Sequence, residues 1–118
     1  MNLITINGVR GYIDHNGVAY LNVEDVSRGL GFTTVATSGN AVVRWSRVNG
    51  YLEDMGYPHQ VGKDSYIPEN VFYRLAMKAK NEVAEIFQAQ VADEILPTIR
   101  KHGAYMTPET IEKTLNDP

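Results

Sequence analysis

Cysteine is absent from the sequence, and with it go disulfides, thiolate metal sites and cysteine nucleophiles. Long apolar runs are absent too, so no segment is expected to span a membrane. The first residues, MNLITINGVRGYID, lack a basic patch followed by a long apolar stretch. That argues against a cleaved signal peptide and for a cytoplasmic protein. Basic charge is in short supply: 11 Lys and Arg stand against 14 Asp and Glu, a formal net charge of −3. Residues 1–60 hold four basic and five acidic side chains and residues 61–118 hold seven and nine, so no charged tail explains the balance. Any contact with DNA therefore has to come from a local patch.

Catalytic constellations are missing as well. His15, His59 and His102 have no second histidine or carboxylate at helix-ligand spacing, and all three fall in expected turns or element ends. The acidic pairs Glu24–Asp25, Glu53–Asp54 and Asp93–Glu94 are adjacent, so the members of each point to different sides of a helix. Solvated faces and first-turn acids account for them better than acid–base catalysis. Gly8, Gly11 and Gly17 lack phosphate-loop spacing and its lysine–serine end. The expectation is a protein without metal or cofactor that is not an enzyme.

What is present is a core. With 118 residues, 43% of them apolar and 9% aromatic, the chain fits one packed domain. LITI and GYID flank the turn pair Asn7–Gly8, and HNGVAYLN places Asn16–Gly17 in a second turn, so the first 22 residues predict a small antiparallel sheet. Asn22 caps a predicted helix over 23–30, with Glu24 and Asp25 in its first turn, Val23, Val26 and Leu30 as its stripe, and Gly31 ending it. FTTVATSG reads as a loop. A second helix is expected over 40–52, capped by Asn40, with Val42, Trp45, Val48 and Leu52 on its inner face. YPHQVGKDSYIP looks like a hairpin turning at Gly62–Asp64.

Further helices are predicted over 69–80 and 82–101. The second is capped by Asn81 and carries Val83, Phe87, Val91 and Ile95 at every fourth position. Pro97 must kink it or restart it, because it cannot donate to the carbonyl four residues back. A last short helix, with Thr107 as cap and Pro108 at its first position, has Ile111 and Leu115 on its apolar side. Those two side chains suit a contact with a second copy, so a homo-oligomer is expected. The fold class that follows is α+β: a small antiparallel sheet packed against a mainly helical bundle.

Two basic features remain. Arg28, Arg44 and Arg47 belong to a helix–glycine–loop–helix stretch, VEDVSRGLG followed by NAVVRWSRV. Its linker is longer than the three or four residues of a helix-turn-helix. Those arginines offer a basic face for phosphates or base edges, although on chemistry alone ordinary surface ions explain them better. Arg100, Lys101 and His102 end the long helix, where the dipole already favours cations without any ligand.

YLNVEDVSRGLGF, together with SYIPENVFYRLAMKAKNEVAEIFQAQVADEILPTIRKHGAYMTPETIEKTL, resembles the Bro-N-type amino-terminal domain of phage antirepressors and related baculovirus-repeat proteins. The shared features are the DVxxxLG helix (Asp25, Val26, Leu30, Gly31), Tyr73, Leu75 and Phe87, and the LPxIRKxG segment with YMTPE behind it. That segment runs through Leu96, Pro97, Ile99, Arg100, Lys101 and Gly103 to Tyr105–Glu109. Thr33–Gln60 carries least of the likeness. Where the family often has tryptophan this chain has Gln90, which marks a changed contact surface, and Ala79 stands where serine is common.

The resemblance implies a Bro-N-like domain over 1–103. It makes 104–118 a linker and short helix leading towards a second domain. It also implies a regulator of the choice between lysis and lysogeny in a bacterial host cell, whose partners are a phage repressor protein, double-stranded DNA, or both. The alternative is a sequence-specific DNA-binding module without antirepressor action.

Overall fold

The computed structural model describes residues 3–103. The domain is α+β, as the sequence predicts. Strands β1 (Ile4–Ile6), β2 (Val9–Ile13), β3 (Ala19–Asn22) and β6 (Tyr66–Pro68) form an antiparallel sheet in the order β1-β2-β3-β6. Asn7 and Gly8 turn the first hairpin with φ of 50° and 81°, the left-handed values a tight hairpin needs. One sheet face contributes Val9, Leu21 and Ile67 to the core, and the other carries Tyr12, Tyr20 and Tyr66. Tyr12 and Tyr20 stack with ring centroids 5.0 Å apart.

Helix α1 (Val23–Gly29) follows β3 directly. Asn22 caps it as expected, accepting from the Asp25 amide at 3.0 Å, and its own amide group donates to the Lys63 carbonyl at 2.9 Å. Arg10 of β2 closes the same corner. Its guanidinium reaches Asp25 at 2.9 Å and Asn22 Oδ1 at 3.0 Å, and hydrogen bonding to Asp25 raises its already high pKa. The helix cap thus becomes part of a tertiary contact.

The middle of the chain departs from expectation. Instead of a loop and a helix beginning at Asn40, Thr33–Val35 (β4) and Ala41–Val43 (β5) pair as a separate antiparallel ribbon. Two valines and an alanine opposite Thr-Thr-Val satisfy their backbone groups across the ribbon, and that pairing outweighs a local helix start. Gly39, at φ 88°, makes the turn. Helix α2 then covers Trp45–Asp54, with Arg44 at its N-cap rather than inside it. Val48 and Leu52 are fully buried, whereas Trp45 is only half-buried and Val42 is exposed on the ribbon. The helix runs through Gly50 without ending.

The expected hairpin over 57–68 does not form, although Ser65 does close a turn on Gly62. Tyr66–Pro68 pairs with β3 instead. The chain before it is held by Asn49, whose side chain accepts from the Val61 amide at 2.8 Å and donates to the Val61 carbonyl at 3.2 Å. One amide side chain thus substitutes for a strand.

Helix α3 (Glu69–Ala76) is shorter than predicted, because Met77–Lys80 tighten into turns and Asn81 caps the next helix through the Ala84 amide at 2.8 Å. Helix α4 (Glu82–Gln90), a π turn (Val91–Ile95) and α5 (Leu96–Gly103) follow one another without a break. The π turn explains both the fourfold spacing and Pro97. An α-helix advances about 40° too far with every four-residue step, so Val83 rotates outward, 64% exposed, and Ala84 takes the buried place. The wider turn, with the Leu96 amide bonded to the Val91 carbonyl five residues back, restores the register. Val91, Ile95, Leu96 and Ile99 all reach the core. Pro97 is the second residue of α5, with only Leu96 between it and the π turn, where α-type bonding has already been interrupted.

Two glycines permit close packing. A Cβ on Gly11 would lie 2.7 Å from Ile99 Cδ1 and 2.8 Å from the Tyr20 carbonyl, and one on Gly29 would lie 2.4 Å from the Phe87 ring. Replacing a helical glycine with alanine ordinarily stabilises by about 1 kcal/mol. Here Gly29→Ala is expected to destabilise by roughly 1–3 kcal/mol, since the ring of Phe87 must be driven out of the α1–α4 contact. A urea titration measures the sign directly, and a stabilised variant would contradict this packing.

Candidate nucleic-acid interface

The cations foreseen from sequence separate into three groups. Arg28 is committed to structure: Nη1 donates to the Ala41 carbonyl at 3.0 Å and Nη2 lies 3.5 Å from Glu24, so it ties the tip-side end of β5 to α1. Arg100 is committed as well, paired with Glu69 at the start of α3. Lys101 is exposed beside it. The basic end of the long helix is therefore partly neutralised and lies with α3. A helix-turn-helix is also excluded, because the β4–β5 ribbon stands between α1 and α2.

Arg44 and Arg47 form the third group. Both are exposed, and neither forms an ion pair among the described residues. Arg44 is held by its backbone: its amide donates to the Phe32 carbonyl at 2.9 Å, and its carbonyl accepts from Arg47 and Val48 at 3.0 Å. The guanidinium is left to solvent. One turn on, the Arg47 guanidinium lies 6.0 Å from the Tyr51 ring centroid. Lys78, just beyond α3, reaches the same ring at 6.0 Å.

Two cations thus converge on one tyrosine, whose ring is itself backed by Phe32 at 5.3 Å. Further along, Arg74, Lys78, Lys80, Met55 and Met77 line an open groove of about 600 Å³, into which Asp54 brings one carboxylate. Arg74 is anchored there to the Met55 carbonyl at 3.0 Å. The cationic strip is therefore purest at Arg44, Arg47 and Lys78. An aromatic ring between cations is the arrangement that lets a surface hold phosphates and stack against bases.

Sequence reasoning does not find Lys78, Tyr51 and Arg74. No local signal joins them to Arg47, because only the meeting of the C-terminal ends of α2 and α3 brings them together. It misses the ribbon too, although there a signal is present. Thr-Thr-Val and Ala-Val-Val flank Thr-Ser-Gly-Asn, a turn-rich tip between β-branched runs. Gln90 ends α4 half-buried, on the helix side that also carries exposed Val83 and Ile86. Ile111 and Leu115, and the linker over 104–118, lie outside the described residues. No helix among the described residues is long and apolar enough to cross a membrane.

The model of the BRO family, N-terminal domain, matches residues 8–97. Protein 201R of Invertebrate iridescent virus 6, whose name assigns it a Bro-N domain, is 35% identical over 81 residues, covering 69% of this chain and 17% of its own length. An uncharacterized protein of Haemophilus influenzae is 30% identical over 104 residues, covering 82% of this chain and 47% of its own. The chain thus spans less than half the length of these curated relatives. No solved structure matches it significantly. The strip of Arg44, Arg47 and Lys78 and the ribbon beside it fall inside the matched span, and this chain belongs to the BRO family through its N-terminal domain.

Proposed function

We propose that this chain is a phage- or prophage-type antirepressor, or the N-terminal domain of one, that biases the choice between lysis and lysogeny in a bacterial cytoplasm by binding a repressor protein and DNA. The family supports the regulatory part of this reading. One observation carries the DNA part: a protein of net charge −3 places Arg47 and Lys78 around Tyr51, with Arg44 exposed one turn before Arg47, and no carboxylate pairs with the three among the described residues. Self-association belongs to the same proposal, with Val83, Ile86 and Gln90 of α4 as its described candidates and Ile111 and Leu115 beyond them. Binding and not catalysis is the work assigned to the domain.

A specific observation also favours the narrower alternative, a DNA-binding module without antirepressor action, because the cationic strip by itself needs no second protein. Paired titrations separate the two. The chain is mixed with its cognate repressor and, separately, with operator duplex, and light scattering records the masses formed. Complex formation with the repressor and release of repressor from operator are expected. A chain that ignores the repressor while retarding a specific duplex establishes the narrower alternative. A chain that binds neither overturns both.

A further inference from the structure

We infer that the β4–β5 ribbon is the sequence-reading element of this domain and enters the major groove of duplex DNA, with Arg44 and Arg47 fastening its base to the phosphates. The inference rests on the DNA part of the function proposed above. Four features of the ribbon carry it.

It projects. From Thr34 to Val42 every residue is exposed except half-buried Ala36, and Val35 is 71% exposed. The base is packed through Phe32 and Val43, β5 runs beside α1, and Arg28 holds the Ala41 carbonyl, so the free part of the ribbon is its tip, residues 36–40. It is also uncharged: no Asp, Glu, Lys or Arg occurs from Phe32 to Val43, so no carboxylate repels the duplex.

Its size fits. Two strands about 4.8 Å apart with their side chains make a body near 10 Å across, against a groove about 12 Å wide and 8.5 Å deep. Beyond the Val35–Ala41 pair, where Arg28 is attached, the tip adds about two residues a side at about 3.3 Å each, enough to enter the groove to most of its depth. Its side chains suit base edges. Asn40 at the tip matches the paired donor and acceptor of adenine, the hydroxyls of Thr34, Thr37 and Ser38 either donate or accept, and Val35 and Val42 offer apolar contact to thymine methyls.

The geometry at the base completes the case. The Arg28–Ala41 hydrogen bond of 3.0 Å and the Arg44–Phe32 bond of 2.9 Å fix the angle at which the ribbon leaves the domain. Arg44 follows β5 directly, so a duplex seated on the ribbon brings its backbone to that guanidinium. The outer edge of β4 pairs with no other described strand, and it invites pairing with another chain as the competing use; on the β5 side Arg28 occupies the Ala41 carbonyl. The cations at its base favour a polyanion over that alternative.

The test starts from a randomised duplex pool, from which the full chain selects its preferred sequence. Binding to that sequence and to a scrambled duplex is then compared for the parent chain, Asn40→Ala and Thr34→Ala, over a range of salt. Both substitutions fall on solvated positions, and circular dichroism checks that each variant is folded. At least one is expected to lower the ratio of specific to scrambled affinity by about 5- to 150-fold, with the salt slope unchanged. A ratio unmoved in both folded variants overturns the ribbon's role while leaving DNA binding intact. Selection of no sequence, with both duplexes held alike, overturns it too. Failure of the parent chain to bind any duplex overturns the DNA reading itself. Variants that change only the oligomer mass overturn it in favour of a ribbon that pairs copies of the chain.

Discussion

Replacing Arg44 and Arg47 together with alanine is expected to abolish retardation of duplex DNA at moderate salt while leaving the fold intact. The fold should survive because nothing structural hangs on either guanidinium. The Arg44 backbone bonds to Phe32, Arg47 and Val48 do not involve its side chain. Arg47 loses only its position 6.0 Å from the exposed side of Tyr51, an interaction worth roughly 0.5–1 kcal/mol at such sites.

Binding should respond strongly, because an acidic domain has few cations to spare and most of the rest are occupied or distant. Arg10 is bonded to Asp25, Arg28 to Glu24 and Arg100 to Glu69. Every cation withdrawn from a phosphate lowers the slope of log K against log salt by about 0.9, so the double variant should be flatter by about two. Adding Lys78→Ala should flatten it further. Arg100→Ala is a control that removes one charge from a site already neutralised by Glu69 and should leave the slope unchanged. Filter binding at several salt concentrations reads all of this. Unchanged affinity in the folded double variant would remove the strip from consideration.

The second large effect is on stability. Asn22→Ala is expected to cost roughly 3–4 kcal/mol, a substantial share of the 5–15 kcal/mol typical of a domain. The side chain is fully buried, and its two ends serve three partners: the Asp25 amide at 3.0 Å, Arg10 Nη2 at 3.0 Å and the Lys63 carbonyl at 2.9 Å. Removal of a cap costs about 1 kcal/mol. The Lys63 carbonyl and the surroundings of the emptied, fully buried site add about 2–3 kcal/mol, whereas Arg10 keeps Asp25 and Glu24 as partners. Asn22→Ser retains a capping oxygen but cannot span to Lys63, so it should recover only about 1 kcal/mol. Urea denaturation of the three proteins measures both steps. A drop below 1 kcal/mol for the alanine variant would show that water replaces the asparagine freely.

Asn22 illustrates how far local chemistry reaches. Its role as cap, like that of Asn81, is visible in the residues around it: an Asx side chain followed by acids and an apolar stripe. The bond from Asn22 to Lys63 is not visible, because it joins segments that meet only when β6 adds to β3. The same division holds along the chain. Hairpins at Asn7–Gly8 and Asn16–Gly17 and the helix following Asn22 are set by backbone preferences that act over a few residues. The sequence by itself therefore determined the α+β class, the caps at Asn22 and Asn81 and the family, but not the start of α2, which it placed at Asn40.

Packing decided the rest. Ala-Val-Val became strand and not helix because Thr-Thr-Val was available to pair with it. Val83 left the core because a helix cannot hold a fourfold stripe without the π turn that rescues Val91, Ile95 and Ile99. Arg47 and Lys78 share a tyrosine because the C-terminal ends of α2 and α3 meet, where Arg74 bonds the Met55 carbonyl. Charge, pairing and burial between distant segments depend on which surfaces meet, and a local pattern carries no record of that.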